Sequence, residues 1–175
     1  MKGITFLLSI TFFISIFLLS YTPLLANQAE KNSELIEDIY DFGDSSSAHL
    51  TAVAWLALEQ EDHEAVIAFT NRCIKRYLPE AKAMQKNFQL NLKEGEDYSI
   101  YWALNDVGTC LFIQGSSCLK ENKVLKAKKA FYFLSTQLSE SRCWDPNGWF
   151  WQPAHRANEL LATFAANKTK GGKVQ

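Results

Sequence analysis

The sequence predicts an all-α domain, a stack of about six helices folded as hairpins behind an N-terminal signal peptide. Three observations predict it. Apolar residues recur at steps of three and four, as in Val66, Phe69, Cys73 and Tyr77. Helix-starting signals stand before such runs, at Asp44–Ser47, Pro79 and Pro153. After the leader, no strand-length alternating run appears.

The first element is the leader, residues 1–26. Lys2 is a short positive start, Ile4 to Leu19 is almost unbroken apolar sequence, Pro23 breaks it, and Ala26 offers a small residue for cleavage. That is the layout of a signal peptide, with Ala29 as an alternative cleavage site, and it directs the chain to the periplasm. The apolar run also approaches the lower limit of about 17 residues for a bilayer span, so an uncleaved inner-membrane anchor is the alternative. A polar lead-in, residues 27–47, follows. Its Leu35, Ile36, Ile39 and Tyr40 suffice for one or two amphipathic turns, and Asp44–Ser47 reads as a loop ending in an N-cap.

The helical domain then covers residues 48–166. Ala48–Gln60 and His63–Tyr77 form a first hairpin with Glu61-Asp62 as its break. Pro79 is suited to begin a new helix carrying Ala81, Met84, Phe88 and Leu92, ended by Glu94–Asp97. Tyr98–Gln114 is apolar nearly all round and predicts a buried central helix, with Gly108 placed for close approach to a neighbour. Gly115 is expected to end it, with a long connection to Asn122. Lys123–Ser139 puts Val124, Ala127, Phe131, Leu134 and Leu138 on one face, while Lys120, Lys123, Lys126, Lys128 and Lys129 make a solvated basic side. Asp145–Gly148 suits a tight turn, with Pro146 second and Gly148 fourth. Pro153 opens a last helix to about residue 166, and residues 167–175 read as a flexible basic tail.

Composition excludes several classes. Eighteen basic residues against nineteen acidic give a formal charge of −1, so no electrostatic case exists for nucleic acid or an anionic membrane. Cys73, Cys110, Cys118 and Cys143 are disulfide candidates in an exported chain, although Cys73 and Cys110 also fall on apolar faces where thiols act as small hydrophobes. No C-x-x-C spacing, His cluster or H-E-x-x-H frame occurs, so neither a metal nor a cofactor is expected. No catalytic motif is present, and the chain reads as a non-enzyme.

Two constellations are candidate sites. Asn105 and Asp106, with Tyr101 and Trp102, lie in the most apolar helix, where a polar side chain must be hydrogen-bonded or face a groove. They are the candidate contacts for a protein or peptide partner. Trp144, Trp149, Phe150 and Trp151, with Gln152, form either a cap over the helical stack or an aromatic platform for a glycan.

Gly108, Leu111, Gly115, Ala127 and Phe131, in that order, resemble a degenerate tetratricopeptide repeat with an insertion before Ala127, and Ala65 and Phe69 repeat its small-plus-large pair. Together with YWALNDVGTCLFIQG and RCWDPNGWFW, the pattern is similar to small exported bacterial tetratricopeptide-like proteins. The resemblance implies a partner-binding scaffold.

Overall fold

A computed structural model describes residues 39–90, 97–145 and 147–171. The leader, most of the lead-in, the Glu94–Glu96 break, Leu92 and Pro146 lie outside the described residues. The chain divides into two units, 1–41 and 42–175, and every element below belongs to the second. The described part is mostly helical: α1 (Ser47–Glu59), α2 (His63–Leu90), a 3-10 turn (Tyr98–Tyr101), α3 (Trp102–Lys120), α4 (Val124–Gln137), β1 (Cys143–Asp145), β2 (Trp149–Trp151) and α5 (Pro153–Gly171).

Ser46 caps α1, its hydroxyl accepting from the His49 N–H at 3.2 Å. Both hairpins then close with the same device. In the first, Asp62 N–H bonds Ala57 C=O at 2.9 Å and Glu61 N–H bonds Leu58 C=O at 3.3 Å. In the second, Lys123 N–H bonds Cys118 C=O at 2.8 Å and Asn122 N–H bonds Leu119 C=O at 3.0 Å. These are Schellman caps, with Glu61 (φ 59°) and Asn122 (φ 58°) in the left-handed position that glycine usually takes.

Two expected helix breaks are absent. Pro79 does not start a helix; it lies inside α2. The stripe Val66, Phe69, Cys73, Tyr77, Ala81, Gln85, Phe88 keeps its spacing across the proline, and all but Tyr77 are buried. Burial along this line outweighs the lost hydrogen bond, and Lys75, whose carbonyl is freed, is exposed to water. Gly115 does not end α3, which runs on to Lys120. A Cβ at Gly115 would lie 2.4 Å from Phe131 Cε1, so the glycine makes room for that ring. The long connection expected after Gly115 is replaced by a turn at Glu121–Lys123.

α3 is the hub, with most of its 19 residues buried. α2 runs antiparallel to it: His63 Nδ1 meets Ser117 Oγ at 2.8 Å, and Tyr77 meets Trp102 edge-on at 5.6 Å. α1 runs with it: Ser47 Oγ donates to Asp106 at 2.5 Å and Thr51 Oγ1 lies 3.3 Å from Cys110 Sγ. α4 packs across Gly108 and Gly115. At Gly108 an added Cβ would lie 2.4 Å from Ser141 Cβ.

The last segment corrects the expectation of helices alone. β1 and β2 pair antiparallel in the register Cys143–Trp151, Trp144–Phe150 and Asp145–Trp149. The turn itself forms as expected: Gly148 N–H bonds Asp145 C=O at 2.9 Å, with Gly148 at φ 103°. The three aromatic residues after it favour strand, but the run is too short for a periodic signal. α5 starts at Pro153 and continues through residues 167–171, past the predicted end. Lys128 over the Phe164 ring, at 5.0 Å, helps hold it to α4.

The left-handed turn carries a prediction. Asn122→Val should lower the unfolding free energy by about 1–2 kcal/mol, because a β-branched residue opposes positive φ. Asn122→Gly should stay within about 0.5 kcal/mol of the parent. Thermal melts followed by circular dichroism check both, and a valine variant as stable as the parent would contradict the cap.

Candidate functional site

Near the start of α3, Asn105 is buried and both ends of its carboxamide are engaged. Nδ2 donates to Tyr98 C=O at 2.7 Å, and Oδ1 accepts from the Arg142 N–H at 2.8 Å. It ties the 3-10 turn to the approach of β1. Asp106 faces the opposite neighbour, the first turn of α1, where unpaired N–H groups favour negative charge. Burial nevertheless pushes its carboxyl above the ordinary range, and the Ser47 hydroxyl offsets this only in part. Tyr101 is buried, edge-on to Phe88 at 5.0 Å, whereas Trp102 remains 44 % exposed. These four residues do not share one accessible face: Tyr101 and Asn105 are interior braces, and only Trp102 and the edge of Asp106 are open to a partner.

The cysteines are free. Cys73 and Cys110 are fully buried on the facing sides of α2 and α3, and burial, with Cys73 beside it, holds the Cys110 thiol well above the usual range. Cys118 is buried near the end of α3, and Cys143 starts β1. Cys73 and Cys110 thus lie side by side as thiols, and with Cys118 they pack as small apolar side chains. Among the described residues no group of three or more His, Cys, Asp or Glu is placed to hold a metal.

The aromatic residues divide. Trp144 and Trp149 are more than half exposed, at 56 % and 53 %. Trp151 turns inward and meets Phe112 edge-on at 5.1 Å, and Phe150 meets Tyr98 at 5.7 Å. With Gln152, Arg156 and Glu159 they line a cleft of about 680 Å³ that Trp149 does not enter.

A second opening lies between α2, α3 and α4, with a volume of about 490 Å³. α2 supplies Ile67, Asn71, Ile74 and Leu78, at steps of four, three and four. This is a second stripe beside the buried one. Leu111 and Gln114 of α3 make the floor, and Ala130 and Phe133 of α4 the far wall. Asn71 Oδ1 and Thr70 Oγ1 accept from Gln114 Nε2 at 2.8 and 3.3 Å, fixing the floor to the first wall. Lys126 and Lys129 stand on the rim, and Lys82 lies 5.5 Å over the Phe133 ring at one end. Among the described residues these three lysines form no salt bridge, unlike Lys120, which is 3.0 Å from Glu61. A helix with one apolar face ending at Tyr77, as the sequence predicts, does not contain this stripe. The signal was the spacing of Ile67, Ile74 and Leu78.

Comparison with protein-family models, curated proteins and solved structures gives no match for this chain. The site must be read from its own chemistry.

Asp106 gives a pH prediction. Its folded-state pKa is raised, so the native state holds the proton more tightly than the unfolded chain. Its contribution favours folding at low pH and is lost as pH rises from the ordinary carboxyl value through the raised one. Asp106→Asn keeps an acceptor for Ser47 and removes that loss. The variant's Tm should exceed the parent's at pH 7, by more than at pH 4. Melts across that range check the sign, and a larger gain at pH 4 would contradict it.

Proposed function

We propose that this chain is an exported protein–protein interaction module of tetratricopeptide-like build, acting without catalysis, and that it docks an acidic amphipathic helix in the α2–α3–α4 groove. The leader's sequence supports export to the periplasm, with the uncleaved anchor as the alternative destination. The repeated hairpin caps, and the placement of α3 against both helices of the first hairpin, support the tetratricopeptide-like reading.

The observation that carries the docking reading is the second stripe of α2. Ile67, Ile74 and Leu78 are left half-buried in a groove walled by Phe133, instead of being sealed by another element. Helix-in-groove recognition reads apolar anchors at i, i+3/i+4 and i+7, and this spacing offers matching contacts. The rim decides the partner's charge. Lys126 and Lys129 form no salt bridge among the described residues, and Lys82 is drawn to an aromatic face. An acidic flank on the incoming helix would complement all three, raising the association rate and selecting against basic helices.

The test uses two synthetic helical peptides with one leucine stripe, one flanked by glutamate and the other by lysine. Fluorescence anisotropy with the mature protein should show binding of the glutamate peptide, weakening with salt. Ile74→Asp should abolish it, and the Lys126→Glu/Lys129→Glu pair should weaken it about tenfold. Equal binding of both peptides, or binding indifferent to these changes in a folded variant, would overturn the reading.

A further inference from the structure

The aromatic cleft between the 3-10 turn, α3, β2 and α5 is independent of the groove, and its walls point to a different ligand. Tyr98, Phe112 and Trp151 give it flat apolar surfaces from three separate elements. Ring contacts hold them: Trp151 meets Phe112 at 5.1 Å, and Phe112 meets Phe131, which is fully buried, at 5.9 Å. The platform is therefore braced from the core. Beside it stand planar polar groups. Gln152, turned so that its oxygen faces Arg142, accepts from Nη1 at 2.5 Å and Nη2 at 2.9 Å, which fixes its carboxamide at the edge of the cleft. Arg156 Nη1 lies 2.5 Å from Glu159 Oε2, and His155 Nε2 lies 3.4 Å from Glu159 Oε1.

Both arginines that line this cleft already have a carboxylate partner, Arg156 inside the lining and Arg142 just outside it. Arg142 pairs with Glu140 at 3.5 Å and also lies over the Tyr98 ring at 5.2 Å, while Arg156 pairs with Glu159. An anion would meet the Glu159 carboxylate, and a cation would meet two guanidinium groups. A purely apolar ligand would strip water from the ion pair and return no hydrogen bonds. What fits is a neutral molecule with an apolar face and hydroxyls that donate and accept side by side. A pyranose ring has that form: its C–H face lies against aromatic carbon, and neighbouring hydroxyls donate to a carboxylate while accepting from guanidinium N–H.

We propose that this cleft binds a neutral saccharide, with Trp151 and Phe112 as the platform and Arg156 and Glu159 as its hydrogen-bonding groups. Trp144 and Trp149 take no part in the site.

The experiment titrates the mature protein with neutral oligosaccharides, cello-oligomers and N-acetylglucosamine oligomers. Oligogalacturonate serves as the anionic arm and deacetylated glucosamine oligomer as the cationic arm. Isothermal titration calorimetry gives affinity, and tryptophan fluorescence locates the contact. At least one neutral oligomer should bind and change the fluorescence, and the change should persist in the Trp144→Phe/Trp149→Phe protein. Arg156 and Glu159 are exposed, so Arg156→Ala and Glu159→Ala should keep the parental Tm while weakening binding about tenfold or more. Absence of binding across the neutral oligomers would overturn the proposal. So would tighter binding of a charged arm, or neutral binding that both alanine variants retain. Failure of the acidic-peptide assay would leave this result untouched, since the two openings share no lining residue.

Discussion

Close approach to α3 is the constraint on which the rest depends. Gly108 and Gly115, two turns apart, leave two gaps without side chains on one face. On that face the Phe131 ring of α4 occupies the space a Cβ at Gly115 would fill, and Ser141 does the same at Gly108. Both residues are fully buried, so neither has room to retreat. The position of Ser141 places Arg142 one residue later within reach of Asn105 at 2.8 Å, and β1 follows directly. α4 seated at this depth also forms the far wall of the apolar groove, and β2 carries Trp151 to the edge of Phe112.

A helix buried on most sides must also satisfy its polar side chains, and α3 does so neighbour by neighbour. Asn105 serves the 3-10 turn and the segment before β1, Asp106 the start of α1, Gln114 and Ser117 serve α2, and Thr109 bonds the Asn105 carbonyl at 2.8 Å. Each such bond contributes only about 1 kcal/mol net, whereas a buried group left without a partner costs about 1–3 kcal/mol. Their main effect is therefore to fix register: a helix slipped by one turn would strand several of them at once. Asp106 is the group for which this remains incomplete, since burial raises its carboxyl despite the Ser47 hydroxyl.

Much of this was legible in the sequence. The apolar circumference of Tyr98–Gln114 predicted the central helix, and Gly108 predicted a close approach. The N-cap before α1, the Asp145–Gly148 turn and the start at Pro153 were local signals read correctly, because capping and turn chemistry act within a few residues. Local signals also misled where packing prevailed. Pro79 and Gly115 are helix punctuation in isolation, but buried contacts hold the helix together past each: Cys73, Ala81 and Phe88 for the first, Phe131 for the second. Glu61 in a left-handed cap carried no sequence signal, since that position favours glycine or asparagine. In the cleft, Trp151 and Gln152 were visible as an aromatic cluster with a polar neighbour. Tyr98, Phe112 and Arg156 come from elements far apart in the chain, and no spacing rule joins them.

Thermal unfolding of Gly115→Ala, with Gly108→Ala beside it, tests the central claim most directly. Alanine inside a helix ordinarily stabilises it by about 1 kcal/mol over glycine. Forcing a methyl group into a filled core costs about 1–3 kcal/mol, and here its nearest neighbours are fully buried. The account predicts that both variants melt below the parent, despite their better helix propensity. A Tm raised by either substitution would show that α3 is not held at that distance, and would contradict the packing from which the groove and the cleft both follow.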